Sequence, residues 1–205
     1  LGAPVVCSLQ DEDTWIDSME PGEADAVWAL LRDKAPDVHL FVPVSCYYAG
    51  VMQKRMGIPA DHMEVVRPGV DTTVHNQAPL YFKPPTLGYL SRMSDSLGLG
   101  VLVEAFARLK TGNAWLKSLR LRVSGGFTGD DRYFLEGLGE RLTQQNMAQD
   151  VDMVPAFDIK ARLDFLQSLS VFSVPAPRAE AFGLPILEAL ASGVPVVEPS
   201  IGGFA

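Results

Sequence analysis

Short apolar stretches alternate with longer amphipathic stretches in the second half of the chain. The short stretches have the length of buried strands and lie at 86–91, 119–126, 151–154, 171–176 and 193–199. The stretches between them repeat apolar residues at intervals of three or four positions, which predicts helices. Strands that alternate with single helices and are apolar on both sides indicate a parallel sheet with helices on both faces.

The helices predicted between these strands can be placed from individual residues. Apolar residues share one face of the first helix, namely Leu99, Leu102, Val103, Phe106 and Leu109. Asp158 is predicted to cap the N-terminus of a later helix. Parallel sheets of this kind bind ligands at the carboxyl ends of their strands, where loops lead into helix N-termini. The second half of the chain is therefore predicted to be a Rossmann-like domain.

The N-terminal part of the chain predicts a smaller α/β unit. Two strands are predicted there at 3–9 and 38–45, and two helices at 23–35 and around 46–56. These elements are too few to close a doubly wound domain. Residues 67–85 are rich in proline and polar residues, which is typical of a linker between domains. We therefore expect part of an N-terminal domain at 1–66, a linker at 67–85 and a truncated C-terminal domain at 86–205.

Composition and charge exclude several classes of function. The chain of 205 residues has a net charge of −8 and no cluster of Lys or Arg, so a broad nucleic-acid surface is not expected. A small anionic ligand is not excluded, because one arginine and a helix N-terminus can bind it. Cys7 and Cys46 are too few for a disulfide framework. The histidines are scattered along the chain, so no metal site is predicted.

The expected location follows from the absence of membrane and export signals. Each apolar run is interrupted by Pro, Gly or a charged residue before it reaches the length of a membrane span. The first residues lack a basic region ahead of an apolar stretch, so no secretory signal is predicted. We therefore expect a cytoplasmic protein. Because the sequence begins with Leu1 rather than Met, we also expect that an N-terminal part is absent.

The stretch EAFGLPILEALASGVPVV, which spans residues 180–197, predicts a loop followed by a short helix. Gly183 gives the backbone freedom in the loop, and Pro185 suits the first turn of a helix. The helix is expected to end at Ser192 and Gly193. The side chains expected to pack inward from it are those of Ile186, Leu187 and Leu190.

Two glutamates flank the start of this helix, with Glu180 before it and Glu188 about one turn inside it. Free N–H groups around 183–186 are suited to a phosphate, and a carboxylate accepts hydrogens from both hydroxyls of a sugar diol. The alternative is a short core helix with two glutamates that face solvent. Spacing alone leaves both interpretations open, and the second is the commoner arrangement.

The same stretch resembles a signature of the retaining, GT-B-fold glycosyltransferases of family 4 (group 1). The family commonly has Glu-Gly-Phe-Gly-x4-Glu-Ala-x-Ala-x-Gly-x-Pro-Val, and only Ala181 departs from it here. Further segments resemble the family in the same order: VSCYYAGVMQKRMGIPADHMEVVRPGVDTTVH (44–75), LGYLSRMSDSLGLGVLVEAFARL (87–109) and VSGG (123–126). The resemblance covers most of the chain from about residue 38. It implies a GT-B-like α/β fold, in which a C-terminal domain with a Rossmann-like parallel sheet follows part of an N-terminal α/β domain.

The resemblance implies two residues that act close to the reacting bond. Glu180 would contact hydroxyls of the donor sugar. Arg92 would neutralise the diphosphate as it leaves, which is the electrostatic effect of a charge placed in advance. The alternative for Arg92 is a solvated charge at the end of a strand.

The resemblance also implies a set of donor-binding residues. Gly126 lies in the glycine turn that matches the family. Backbone N–H groups of Phe182, Gly183 and Leu184 would approach the sugar and the diphosphate, and Glu188 would bind the ribose. Enzymes of this fold generally need no divalent metal, and the chain lacks an Asp-x-Asp pair in a suitable loop. We therefore expect no metal and no other cofactor.

The chain departs from the family at two functional positions. Leu97 stands where the family has a lysine, five residues after its arginine. Leucine cannot pair with a diphosphate, so one of two cations that stabilise the leaving group is missing. Arg67 or Arg178 could take its place. Gln10 stands where many relatives have a histidine, so no catalytic base is assigned.

We expect a retaining transferase of the hexosyl type, which moves a sugar from a nucleotide-sugar donor to a saccharide, lipid-linked or small-molecule acceptor. Two alternatives stay open: a nucleotide-sugar-binding relative with impaired catalysis, suggested by Leu97, and a GT-B-fold isomerase of nucleotide sugars. We expect no nucleic-acid partner, and peripheral membrane association through missing regions stays open. Because the chain resembles an incomplete fragment, we expect weak nucleotide binding and no transfer.

Overall fold

The computed structural model describes residues 2–75, 84–155 and 157–204. The chain divides into two compact units. The first unit consists of Leu1–Gly69, Ala179–Gly183 and Ser200–Ala205. The second unit consists of Val70–Arg178 and Leu184–Pro199. Residues 76–83, which belong to the predicted linker, lie outside the described residues.

Parallel strands and three α-helices form the described part of the first unit. The elements are β1 (Val6–Leu9), α1 (Glu12–Ile16), α2 (Pro21–Lys34), β2 (Leu40–Pro43) and α3 (Cys46–Met56). Their apolar faces share one core, whose fully buried side chains include Ile16, Phe41, Tyr48 and Met52. The strands, α2 and α3 confirm the predicted elements. Helix α1 was not predicted, because it is short and begins with acidic residues instead of an apolar repeat.

A parallel sheet forms the centre of the second unit, as predicted. Its strands are β3 (Thr86–Leu90), β4 (Arg120–Ser124), β5 (Val151–Met153) and β6 (Val171–Phe172). They lie in the order β5–β4–β3–β6, and every pairing is parallel. Strand β3 is therefore central: Gly88 pairs with Arg122 of β4 on one side and with Phe172 of β6 on the other.

Helices cover this sheet on the predicted pattern. They are α4 (Leu99–Gly112), α5 (Arg132–Gln144), α6 (Ile159–Gln167) and α7 (Leu184–Ala191). Asp158 caps α6 as predicted, since its carboxylate accepts a hydrogen bond from the N–H of Ala161 at 2.9 Å. Fully buried side chains of the core include Tyr89, Phe106, Leu121, Leu166 and Phe172. Leu109, predicted on the inner face of α4, is 40% exposed because it lies in the last turn of the helix.

The strand predicted at 193–199 is wrong. Val196 forms an isolated parallel bridge to Phe172 at the edge of β6, and the ladder does not continue. The N–H of Val197 donates to the carbonyl oxygen of Phe172 at 3.0 Å. Pro195 and Pro199 have no N–H to donate, so the segment cannot extend the sheet as a regular strand.

The predicted inner face of α7 is wrong at one position. Leu190 is 54% exposed, whereas Ala189 is fully buried. The buried face of this short helix passes through Ile186 and Ala189, which are three residues apart and lie above one another. Leu190 lies in the last turn of α7, next to the end of the helix at Ala191.

The loops that follow β3 and β4 are hydrogen-bonded to each other. The N–H of Met93 donates to the carbonyl oxygen of Gly126 at 2.8 Å, and the N–H of Ser91 donates to that of Ser124 at 3.2 Å. Gly125 lies beside both contacts with a φ of 145°, and a Cβ added there would lie 1.7 Å from the carbonyl oxygen of Ser91. A Cβ added at Gly126 would meet nothing within 4 Å. Only the first of these adjacent glycines is required by the close approach of the loops.

We expect Gly125→Ala to destabilise the chain and Gly126→Ala to leave its stability nearly unchanged. Alanine at position 125 would add backbone strain of roughly 1–3 kcal/mol to a clash with a carbonyl oxygen. Alanine at position 126 would meet open space, so its free energy of unfolding should change by no more than about 0.5 kcal/mol. Urea unfolding midpoints of both variants measure the difference. Equal midpoints would contradict the close approach of the two loops.

Candidate functional site

The carboxyl end of β3 is the point where the strand order of the sheet reverses. From β3 the chain continues outward to β4 and β5, and it then returns to β6 on the other side. In open α/β sheets, ligands bind in the crevice beyond the strands at such a point. Arg92 lies in the loop after β3 and Gly126 in the loop after β4, so two predicted site residues lie at this edge.

A carboxylate holds Arg92 in a fixed orientation. The Nε of Arg92 donates to Oδ2 of Asp131 at 2.9 Å, and its Nη2 donates to Oδ1 at 3.1 Å. The Nη2 also donates to Oγ1 of Thr128 at 3.1 Å. The side chain of Arg92 is 48% exposed, whereas that of Asp131 is 8% exposed. The guanidinium is therefore fixed from the protein side and accessible from solvent.

The Arg92–Asp131 pair is charged at neutral pH. The Arg92 guanidinium lowers the pKa of Asp131 to about 2, and hydrogen bonds from Thr128 act in the same direction against the effect of burial. The same pairing raises the pKa of Arg92 above its ordinary value. Because the two planar groups meet through two parallel hydrogen bonds, the pair fixes direction as well as charge.

Thr128 and Asp131 hold the predicted site residue Arg92, and the sequence analysis did not single them out. The N–H of Thr128 donates to Oδ2 of Asp131 at 2.8 Å, and the two residues form a capping box around the 3₁₀ turn Gly129–Asp131. This turn leads directly into α5. The signal in the sequence was the Thr-x-x-Asp spacing ahead of an apolar helix, which is typical of a capping box. The capping residues thus also anchor Arg92.

Leu97, which stands in place of the family's lysine, is fixed through its main chain. The hydroxyl of Tyr89 lies 2.7 Å from the carbonyl oxygen of Arg92 and 3.2 Å from that of Leu97. Tyr89 is fully buried, so it connects both ends of this loop to the core of the second unit. The main chain of the loop is therefore anchored at both of these positions.

Two arginines were considered as possible substitutes for the missing lysine. Arg67 lies in the first unit, where its Nη2 donates to the Sγ of Cys46 at 3.4 Å. A cysteine sulfur is a weak hydrogen-bond acceptor, so this contact contributes little to holding Arg67 in place. Arg178 is an exposed residue of the second unit. For both arginines, the role of diphosphate partner stays a prediction.

Glu188 lies in α7 and is paired with Arg162 of α6. The Nε of Arg162 donates to Oε2 of Glu188 at 2.7 Å, and the side chain of Glu188 is only 13% exposed. This burial excludes, for Glu188, the alternative of a glutamate that faces solvent. Arg162 was missed because it is 26 residues away in the sequence and the pairing depends on how α6 and α7 pack.

The start and end of α7 agree with the sequence analysis. Gly183 has a φ of 131°, and α7 begins with Leu184 and Pro185 directly after it. The helix ends before Gly193, which has a φ of 74° and donates its N–H to the carbonyl oxygen of Leu190 at 3.0 Å. The first N–H groups of a helix have no partner within it. The N-terminus of α7 therefore offers backbone donors, beginning at Leu184.

Glu180 lies in the first unit, where Asp11 acts on it electrostatically. Burial raises the pKa of Glu180 to about 7, and the negative charge of Asp11 raises it as well. The pKa of Asp11 is itself raised, chiefly by burial. Neighbouring carboxyl groups disfavour each other's ionised form. Near neutral pH, the carboxyl of Glu180 is therefore close to the midpoint of its titration.

Both backbone groups of the residue after Glu180 are anchored. The N–H of Ala181 donates to Oδ1 of Asp11 at 3.3 Å, and its carbonyl oxygen accepts a hydrogen bond from Oγ of Ser45 at 2.6 Å. Ser45 is also the N-cap of α3, where it accepts from the N–H of Tyr48 at 3.0 Å. Asp11 was not predicted as a site residue. Its signal was an acidic side chain just beyond the carboxyl end of β1.

The predicted site residues are distributed over both units. The first unit contains Glu180, Phe182 and Gly183. The second unit contains Arg92, Gly126, Leu184 and Glu188. Phe182 is partly buried against the core of the first unit. In the second unit, the hydrogen bond from Met93 to Gly126 brings the Arg92 loop and the glycine turn together.

Metal-binding and membrane-spanning features were searched over the described residues. Within 2–75, 84–155 and 157–204, no three His, Cys, Asp or Glu side chains are grouped so as to hold a metal ion. In the same part of the chain, every helix is too short or too polar to cross a membrane. Cys7 and Cys46 both have free thiols.

Solved structures with the same fold include proteins that bind nucleotides. HepE from Anabaena, in complex with UDP-glucose, matches with a TM-score of 0.78 and 18% identity over 98% of this chain and 54% of that one. Sucrose-phosphate synthase from Thermosynechococcus elongatus matches with a TM-score of 0.73 and 19% identity over 97% of this chain and 50% of that one. A TarM mutant from S. aureus, in complex with ligands that include UDP, matches with a TM-score of 0.71 and 15% identity over 97% of this chain and 37% of that one. The chain thus spans about half the length of the first of these relatives. At these identities the matches show the fold, and they confirm the predicted GT-B-like α/β architecture with parallel sheets.

The family of the chain follows from its sequence. No curated protein matches the chain in a sequence comparison. The family model described as glycosyl transferases group 1 matches residues 70–205, which is well over half of the chain. The matched region contains all the predicted site residues, and the match confirms the resemblance found in the motifs. The chain therefore belongs to the family of glycosyl transferases group 1.

Proposed function

We propose that this chain supplies donor-binding residues of a retaining glycosyltransferase, which moves a hexosyl group from a nucleotide sugar to an acceptor hydroxyl. The observation that carries the proposal is the geometry of Arg92. This half-exposed cation is fixed by Asp131 at the edge where the strand order of the sheet reverses. Membership of a glycosyltransferase family supports the reaction class, while the sugar and the acceptor belong to the proposal.

Arg92 is proposed to act on the leaving diphosphate. During transfer, the bond between the anomeric carbon and the diphosphate oxygen breaks, and negative charge accumulates on that oxygen. The acceptor oxygen forms the new bond to the same carbon, and the acceptor proton passes to the departing diphosphate. A guanidinium that Asp131 has already oriented stabilises this charge without reorganisation during the reaction.

The helix α7 is proposed to bind the nucleotide through its first turns. Glu188 accepts hydrogen bonds from the ribose hydroxyls, because an ionised carboxylate has several acceptor positions for a diol. The backbone N–H of Leu184 lies in the first turn, where helix donors are unpaired and the helix dipole favours an anion. Gly126 is proposed to let the diphosphate approach the backbone, since it has no side chain.

The segment before α7 is proposed to contact the sugar. Glu180, with a pKa of about 7, can donate or accept a hydrogen bond from its carboxyl group near neutral pH. The backbone N–H groups of Phe182 and Gly183 are proposed to approach the sugar as well. Asp11 and Ser45 support this role because they fix the backbone of the residue that follows Glu180.

A UDP-linked hexose is the proposed donor class. The structures of HepE and TarM that match this fold contain UDP-glucose and UDP respectively, which supports uridine over other bases. The acceptor class stays as broad as the sequence left it: a saccharide, a lipid-linked molecule or a small molecule. The cytoplasmic location and a peripheral membrane association also stay predictions.

A second candidate function is nucleotide-sugar binding without transfer. The observation that favours it is Leu97, whose side chain cannot supply the second cation expected at this position. The two candidates differ in a transfer assay of the complete protein. Turnover that falls sharply in Arg92→Ala supports the transferase, whereas donor binding without transfer or donor hydrolysis supports the second candidate.

Arg92→Ala is expected to weaken UDP binding by this chain about tenfold to a hundredfold, because charged hydrogen bonds contribute roughly 1.5–3 kcal/mol. The affinity for uridine, which lacks the diphosphate, should stay unchanged. Ligand-detected NMR titrations measure both affinities even when they are weak. The matched control is Arg108→Ala, since Arg108 is 79% exposed on α4 and pairs with Glu104. An equal loss of affinity for UDP and uridine would remove Arg92 from the diphosphate site.

Glu180→Gln is expected to flatten the pH dependence of the free energy of unfolding. The folded chain holds the proton of Glu180 up to about pH 7, while the unfolded chain loses it near the ordinary value of 4.5. The folded state therefore binds more protons in this range, so the contribution of Glu180 to stability falls as the pH rises from about 4.5 to about 7. With allowance for partial exposure, the loss is roughly 1–2 kcal/mol.

Urea unfolding between about pH 5 and pH 8 tests this expectation. The matched control is Glu64→Gln, because Glu64 is an exposed residue of the same unit. The control should keep the pH profile of the unmodified chain. A Glu180→Gln profile that is parallel to that of the unmodified chain would show that Glu180 titrates at its ordinary pKa.

A further inference from the structure

We propose that Arg162 is a positioning residue for Glu188, which fixes the plane of the carboxylate so that it selects a ligand with a ribose diol. This inference rests on the proposed function, because it assigns a partner to the residue that is proposed to bind ribose. Arg162 does not match any position of the motifs on which the family resemblance depends. Its role follows from its contact in the structure alone.

The contact is short and poorly screened by water. The Nε of Arg162 donates to Oε2 of Glu188 at 2.7 Å, and the two side chains are 30% and 13% exposed. The guanidinium is planar, and its donors point in fixed directions. A donor on one carboxylate oxygen therefore limits the rotation of the whole group. Since an ionised carboxylate has about four acceptor positions, it can still accept both hydroxyls of a diol.

Other contacts also hold α6 in place. Asp158 caps the helix by accepting from the N–H of Ala161 at 2.9 Å. Phe165 and Leu166 anchor the helix, because both are buried in the core of the second unit. The helix therefore has anchors besides Arg162, and Arg162 can also act on Glu188.

A structural purpose alone explains Glu188 poorly. The carboxylate lies in an apolar helix next to Ala189, which is fully buried. Burying an ion pair at such a place contributes little to stability, since apolar residues of similar volume are often as stable or more stable. A charged pair in this helix is better explained by a ligand that needs the carboxylate. Arg162 then compensates its charge and sets its orientation.

The test compares two nucleotides that differ only in the diol. UDP and 2′,3′-dideoxy-UDP are titrated by ligand-detected NMR into the unmodified chain, Arg162→Gln, Arg162→Lys and Glu188→Gln. We expect the unmodified chain to prefer UDP. Arg162→Gln should weaken UDP binding about fivefold to tenfold and leave the affinity for the dideoxy nucleotide unchanged. Arg162→Lys, which keeps the charge without the planar geometry, should recover part of the preference.

The controls separate positioning from stability. Arg108→Gln changes an exposed arginine of α4 and should leave both affinities unchanged. Thermal unfolding checks that each variant is folded at the temperature of the titration. In a variant with both Arg162→Gln and Glu188→Gln, the preference for UDP should fall no further than in Glu188→Gln alone. Such non-additivity is expected of residues that act through one another.

Each outcome decides the proposal. An equal loss for UDP and the dideoxy nucleotide in Arg162→Gln, or no loss for either, overturns the positioning role. Unfolding of both Arg162 variants shows a structural role and overturns it too. If the unmodified chain binds both nucleotides equally, this inference fails while the diphosphate role of Arg92 stands. If the unmodified chain binds neither nucleotide, the proposed function fails and this inference fails with it.

Discussion

Strand β3 is hydrogen-bonded on both sides, and the positions of the predicted site residues Arg92 and Gly126 depend on it. Because β4 and β6 flank it in parallel, the loops that follow these strands begin at one edge of the sheet. The N–H of Met93 binds the carbonyl oxygen of Gly126, which fixes the first two loops to each other. A Cβ added at Gly98 would lie 2.0 Å from the carbonyl oxygen of Pro175, so the chain that follows β6 also packs closely against the end of the loop after β3. Arg92 extends from a loop that has little freedom to move.

Two carboxyl groups of the chain have pKa values shifted in opposite directions, one by a cationic partner and the other chiefly by burial. Asp131 is among the buried charged residues, yet its pKa is lowered to about 2 because the guanidinium of Arg92 favours the ionised form. Burial raises the pKa of Glu180 to about 7, and the negative charge of Asp11 raises it as well. The first group is therefore a permanent counter-charge, whereas the second can exchange a proton near neutral pH.

Local sequence patterns predicted the elements of the fold but not the partners of the charged side chains. The parallel sheet, the Asp158 cap and the glycine before α7 each follow from short-range periodicity or turn chemistry. The partner of Arg92 is 39 residues away, and that of Glu188 is 26 residues away. Such pairings depend on which loops and helices the folded sheet brings together, and spacing along the chain does not encode this. The failed strand at 193–199 has a local cause that was visible, since proline cannot donate to a ladder.

Leu97 changes how the proposed diphosphate site must work. A second cation would add attraction that acts over distance, whereas the charge of Arg92 is already compensated by Asp131. Under the proposal, binding then depends on the direction of the remaining guanidinium donors and on unpaired N–H groups at the start of α7. Donors of that kind lose their effect when they are displaced, but they do not require net positive charge. In a transferase with leucine at position 97, stabilisation of the leaving group therefore depends on the direction of these donors rather than on a second charge.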